Sequence, residues 1–298
     1  MATITTNPSR DRQEVSAHAG WARWLAFFSV FLICEFAILI LGSNYFDVFP
    51  TNKNLTYNLL ISVVFLVSSL WLRRAERWNQ YWRVGFAFFV ASVAYPSTWL
   101  LEDRINSLMG GLGLIAKTPQ YLGVEKVFEA ILVVVPIILL TKLSRADLGS
   151  IYLKRGNLKM GLGIGSLVFI FLGTATFMFA AQRFTSLEAL GAAVGWGLVF
   201  SFANSFMEEL WLRGIFLKRF EPFLKVGGSV LLTSLIFAML HSFVFYFTPA
   251  VIPFFFLNTL SLGLACGYLM MKSDSLWGPV LIHAASDFFL FLAVLAPG

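Results

Sequence analysis

The chain has 298 residues, of which 58% are hydrophobic and only 13% charged, with a mean hydropathy of +0.77. Soluble domains carry about 25% charged residues, so water is excluded as its main solvent. The formal net charge of +6 falls in short connections between apolar stretches and forms no basic and aromatic surface stripe, which excludes nucleic acid as the partner and points to membrane topology.

The first twenty residues are polar, with Arg10, Asp11, Arg12 and Glu14. The apolar run after them is too long for a signal-peptide core and reads as a retained first span. In all, nine apolar stretches approach the ~20 residues needed to cross the hydrocarbon. They lie at roughly residues 21–43, 55–72, 84–101, 122–141, 160–181, 190–212, 229–247, 251–271 and 276–296. Connections with Arg73, Arg74, Arg77 and Arg83, with Lys142, Arg145, Lys154, Arg155 and Lys159, and with Lys218, Arg219 and Lys225 alternate with charge-poor or mixed ones. That alternation predicts a cytoplasmic N-terminus and places Glu208 and Glu209 near the cytoplasmic face. Trp71, Trp78, Tyr81 and Trp82 sit beside the first basic connection, where amphipathic rings favour the interface. Cys34 and Cys266 lie inside apolar stretches and read as small buried hydrophobes. No internal repeat is visible, so an inverted-repeat transporter gains no support. The expected fold is all-α, a polytopic transmembrane bundle of eight or nine spans: a polar cytoplasmic tail over 1–20, N-terminal helices over 21–185, and a chemistry-bearing core over 186–298.

Ionisable side chains at membrane depth are costly, tend to face a cavity, and are therefore functional candidates. Three clusters stand out. In Glu208-Glu209-Leu210-Trp211-Leu212-Arg213, helical spacing puts Glu209 and Arg213 on one face as a charge-assisted pair and turns Glu208 about 100° away, free for other work. In Phe237-Ala238-Met239-Leu240-His241, one histidine sits in an otherwise uncharged run. In His283-Ala284-Ala285-Ser286-Asp287, imidazole and carboxylate share a helical face, with small residues between them. Taken singly, an acidic pair at a helix end reads as an interfacial patch, and a lone histidine as a packing residue. Of the three histidines, however, only His18 lies in the tail, and the other two follow the glutamate pair. If those stretches pack together, one cavity holds enough to activate water. Glu35, Glu102, Asp103, Arg104, Glu125 and Glu129 fit no such spacing and read as snorkelling or helix-paired groups.

Glu-Glu-x-x-x-Arg, then Phe-x-x-x-His, then His-x-x-x-Asp resembles the motif set of the CAAX prenyl protease type II and bacteriocin-processing family of intramembrane proteases, over roughly residues 190–295. Asn258 and the Gly263-to-Gly267 spacing are similar to that family's small-residue helix, although close helix packing alone would explain them. The resemblance implies the family's core helices in the C-terminal third, and an endopeptidase acting on a membrane-associated substrate, prenylated or of leader type, in a bacterial-type cell membrane. It assigns Glu208 as general base, His241 to holding the water, Glu209 to pairing with Arg213, and His283 with Asp287 to stabilising the oxyanion.

Asp287 weakens the last assignment, because an ionised carboxylate cannot donate to an oxyanion. It would have to be protonated, orient His283 or bind a metal. Two imidazoles plus a carboxylate also make a catalytic zinc set with an open position, with His241 and His283 as the tentative ligands. Glutamate-activated water without metal is preferred, and zinc stays open. The expected partners are the substrate peptide and the bilayer. A proton- or ion-coupled transporter and a non-catalytic immunity scaffold are the competing readings. Neither requires these spacings, whereas hydrolysis needs base, electrophilic support and water together.

Overall fold

In hydrocarbon every backbone polar group has to be satisfied within the chain, so each apolar stretch closes its own hydrogen bonds as a helix. The computed structural model describes residues 8–43, 51–244 and 252–295, with side chains over 20–43, 54–242 and 252–293. The side chains of Arg10, Asp11, Arg12, Glu14 and His18, and the segment 245–251, lie outside the described residues. Helix α1 (Pro8–Glu35) runs into a π turn at Phe36–Ile40, and α2 spans Thr51–Arg74, α3 Trp82–Ser92, α4 Ala94–Gly111 and α5 Pro119–Leu143. Helix α6 spans Leu158–Ala181, and α7 (Leu187–Glu208) runs into a π segment at Glu209–Gly214. Helices α8 (Leu217–Val244), α9 (Ile252–Ser273) and α10 (Trp277–Leu290) complete the bundle.

Among the described residues there is no strand, and seven helical stretches are long and apolar enough to cross a membrane. The protein is an all-α polytopic membrane bundle. Two further helices account for the remaining apolar stretches of the sequence. Helix α5 has 25 residues but is punctuated by Glu125, Lys126, Glu129 and Lys142, and α10, which continues through a π segment at Phe291–Leu295, forms a shorter apolar helix over Trp277–Ala293.

The expected third span, 84–101, is two helices that meet at Val93. Pro96 sits in the first turn of α4, where a missing N–H is tolerated, but its absence leaves the Ser92 carbonyl without a helical donor. Ser62 on α2 supplies one, its hydroxyl donating to the Ser92 oxygen at 3.0 Å. The connection expected around Lys218 to Lys225 is instead helical from Leu217, and the break is confined to Lys225, at φ 59° and ψ 176°. Its basic residues decorate a helix face rather than a loop.

One end of the bundle is clamped. The connection from α5 to α6 is stitched to the turn between α9 and α10: Asn157 N–H donates to Ser273 O at 2.6 Å, and Leu276 N–H to Tyr152 O at 3.1 Å. Gly156 is required there, since a Cβ would fall 2.4 Å from the Ser273 and Asp274 oxygens. Asp274 is ion-paired to Lys154 and, at 2.6 Å, to Lys218. Beyond the clamp α10 lies directly against α6: a Cβ on Gly278 would meet Gly161 O at 2.5 Å, and one on Gly165 would meet Gly278 O at 2.7 Å. Small residues let the two backbones touch, and that contact fixes where α10 presents His283 and Asp287.

Partial burial pushes the Asp274 carboxyl up, but hydrogen bonds from Lys154 and Lys218 outweigh it and hold the group below the usual carboxylate range. A depressed carboxyl stabilises the fold above its unfolded value, and that contribution disappears as pH falls through the folded one. Thermal melts in detergent are therefore expected to separate wild type from Asp274→Asn near neutrality, the gap closing below about pH 4. A gap that persists unchanged into acid would mean the charge of Asp274 does not hold the clamp.

Candidate active site

The last turns of α7 carry a polar stripe, Ser201, Asn204, Ser205 and Glu208, at spacings of three and four that keep all of them on one helical face. At Glu209 the helix widens into the π segment, and Ile215 N–H reaches back five residues to Leu210 O at 3.1 Å. Such widened turns concentrate at functional sites. Glu209 and Arg213 pair across it, and both are fully buried. The Arg213 guanidinium also lies over the Phe237 ring of α8, 4.1 Å from its centroid. Space for it comes from Gly263 on α9, where a Cβ would stand 3.1 Å from Arg213 Nη2 and 3.0 Å from the Ser234 side chain. Gly267, one turn on, faces Val230, whereas Asn258 is exposed and outside the cluster.

The adjacent glutamates bracket His283. Glu209 Oε1 lies 2.9 Å from its Nδ1, and Glu208 Oε2 lies 3.7 Å from its Nε2. As the ion-pair partner of Arg213, Glu209 is an acceptor, so His283 Nδ1–H donates. Glu208 Oε2 is also 3.3 Å from His241 Nε2. The Phe237 carbonyl, 2.9 Å from His241 Nδ1, can only accept, so that nitrogen carries a proton and Nε2 is the ring atom left facing Glu208. Asp287 Oδ1 lies 3.5 Å from His283 Nε2, while its Oδ2 accepts from Asn204 Nδ2 at 3.0 Å and Ser205 Oγ at 2.9 Å. Phe237 packs on both imidazoles, with centroids 4.1 and 5.3 Å away.

All six side chains nominated from the motifs, Glu208, Glu209, Arg213, His241, His283 and Asp287, thus meet in one cluster. Their exposure separates them. The side chains of Glu208 and His241 are 14% and 15% exposed, against 1% for His283 and 0% for Glu209 and Arg213. Asp287 lies between the two groups, at 9%. Asn204, Ser205 and the packing role of Phe237 were not anticipated, although the stripe leading to Glu208 was there to be read. Glu35 is fully buried on α1, outside the cluster. Glu102, Glu125 and Glu129 line a separate cavity of about 220 Å³, with Trp211 in its wall.

One ligand atom each from Glu208, His241 and His283 lies within 4.8 Å of the others. Glu208 Oε2 is a buried atom that accepts no hydrogen bond, and each nearby Nε2 belongs to a ring whose Nδ1–H is already committed. Electron pairs converging in this way call for a proton or a cation between them, so the residues fit a divalent transition metal. The carboxylate of that set is Glu208 and not Asp287, whose Oδ2 is taken by Asn204 and Ser205.

Residues 190–289 match the family model described as type II CAAX prenyl endopeptidase Rce1-like. The match runs from α7 through α10 and contains every residue of the cluster, which supports the family resemblance carried by the motifs. No curated protein and no solved structure matches the chain.

Removing one partner of a buried ion pair leaves the other charge uncompensated, a loss of about 3–5 kcal/mol. Arg213→Ala is expected to lower unfolding stability by about that amount. Arg213→Met combined with Glu209→Gln should lose less than the sum of the single changes. Denaturation of the purified protein in detergent reads both, and additive losses would mean the two side chains do not act as a pair.

Proposed function

We propose that the protein is an intramembrane endopeptidase that hydrolyses a peptide bond in a membrane-associated substrate, with water activated by Glu208. The observation that carries this reading is the convergence of Glu208 Oε2 and the Nε2 atoms of His241 and His283, on the side where Glu208 and His241 are partly exposed. The Rce1-like match supports peptidase chemistry. The basic connections after α2 and α5, with the basic start of α8, support a cytoplasmic N-terminus and a site near the cytoplasmic face.

Water between Glu208 and His241 gives a proton to the carboxylate while His241 Nε2 accepts its second hydrogen bond, which aims the oxygen at the scissile carbonyl. His283, held at Nδ1 by Glu209, donates from Nε2 to the developing oxyanion as an imidazolium. Asp287 stays an acceptor, fixed by Asn204 and Ser205, and orients and charge-balances that ring. The proton on Glu208 then passes to the departing amine as the C–N bond breaks.

The three-donor cluster favours a second reading, in which Glu208, His241 and His283 hold a zinc ion. That ion would supply a Lewis acid for the carbonyl and acidify a water. Glu208 would then be a ligand and no longer the base.

Glu208→Gln, His241→Ala and His283→Ala are each expected to lower cleavage of a genuine membrane substrate by about 10²-fold or more in reconstituted vesicles. Wild-type rates in all three would sink the site. Metal content and a chelator series on the same preparation separate the two mechanisms. Stoichiometric zinc with chelator-sensitive cleavage assigns Glu208 as a ligand, and metal-free activity keeps it as the base.

A further inference from the structure

A second cavity lies apart from the histidine cluster, between the start of the described side chains of α1 and the break in α8. It has a volume of about 570 Å³, inside the roughly 300–1,000 Å³ span of small-molecule sites. Its wall is chemically two-sided. Trp21, Trp24, Phe27 and Phe223 offer apolar faces, and Arg23 and Lys225 offer cations. Both cations are exposed, and neither has a carboxylate partner among the described residues.

The groove is held together by specific contacts. Trp24 Nε1–H donates to Leu224 O at 3.0 Å, tying α1 to the break in α8. A Cβ on Gly228 would come within 3.0 Å of the Trp24 indole, so the glycine lets that ring approach. Lys225 occupies φ 59° and ψ 176°, a backbone region that is nearly glycine-only. A glycine at 225 would relieve that conformation.

The surroundings are basic as well. Tyr81 packs on Phe27 at 5.8 Å and on Phe223 at 5.4 Å, which brings the connection bearing Arg73, Arg74 and Arg77 to the same face. Glu76 and Glu221 are exposed carboxylates in these segments, and neither lines the groove. A cationic pair set against aromatic walls complements a molecule with an anionic head and an apolar chain.

We propose that this groove is a binding site for an anionic phospholipid of the cytoplasmic leaflet, its phosphate between Arg23 and Lys225 and its chain against Trp21, Phe27 and Phe223. The leaflet follows from the basic connections, and the site does not depend on the peptidase reading. Each cation near the surface of an anionic leaflet contributes about five-fold to the preference for it.

The test uses the full chain in phosphatidylcholine vesicles containing brominated-chain phosphatidylglycerol or brominated-chain phosphatidylcholine, which quench indoles they touch. The readout is Trp21 fluorescence, taken as wild type minus Trp21→Phe. Quenching by the phosphatidylglycerol is expected to be favoured by ~10-fold or more in wild type and to fall level with phosphatidylcholine in Arg23→Gln/Lys225→Gly. Thermal melting of the variant should be unchanged or improved, because Lys225→Gly relieves the backbone. Equal quenching by the two lipids in wild type would reduce Trp21 to an ordinary interfacial residue and overturn the proposal. A preference that survives in the variant would overturn it too, as would release of the brominated lipid by soluble glycerol phosphate, which would assign the groove to a free anion.

Discussion

The buried pair of Arg213 and Glu209 is the interaction on which the rest of the cluster rests. Two adjacent carboxylates at membrane depth cannot both remain uncompensated. The arginine neutralises one and thereby sets the other apart. Its size has structural consequences around it: the Phe237 ring that receives the guanidinium, the bare backbone of Gly263, and the packing of α9 against α8. Through Glu209 Oε1 the same pair reaches His283 Nδ1 and fixes which nitrogen of that ring faces Glu208. A structural ion pair thus decides the orientation of a side chain in the candidate site.

Each candidate reactive group is held by a less exposed one. His241 is aimed by the Phe237 carbonyl, His283 by Glu209, and Asp287 by Asn204 and Ser205. Helices supply the supports, and the support on α10 depends on its glycine contact with α6 and on the clamp at Asp274. Preorganisation of this kind lowers the reorganisation needed when charge develops in a transition state. The groove beside Lys225 sits at the break in the helix that carries His241, so the groove and the candidate site share one element.

The all-α bundle and the six clustered side chains were legible in the sequence because each left a local mark. Apolar stretches declare helices in a bilayer, and spacings of four declare shared faces. What was missed depended on non-local partners. The break at Val93 follows from Pro96, but its tolerance depends on the Ser62 hydroxyl of another helix. The helical start of α8 was hidden because charge there marks a face and not a connection. The π segment at Glu209 has no spacing signature at all, and Arg213 within it meets both Glu209 and, on another helix, Phe237. Asn204 and Ser205 were visible as a stripe, but what they serve lies on α10, more than eighty residues away.

Charge counting sharpens the role of position 287. The cluster holds three carboxylates, Glu208, Glu209 and Asp287, against one guanidinium, Arg213, which leaves two negative charges to be met by the imidazoles, by protons or by a cation. With asparagine at 287 only one would remain. Aspartate therefore asks the site for one more positive charge, and the nearest group able to supply it is His283, whose Nε2 lies 3.5 Å from Asp287 Oδ1 and whose Nδ1–H is already spent on Glu209. In the metal-free mechanism that charge is the imidazolium facing the oxyanion, so a residue that cannot itself donate strengthens the donor beside it. In the metal-bound alternative the same surplus of negative charge favours a divalent ion over a lone proton. In the metal-free mechanism Asp287 thus acts through His283, and the aspartate that looked least suited to an oxyanion site would be the group that keeps its donor charged.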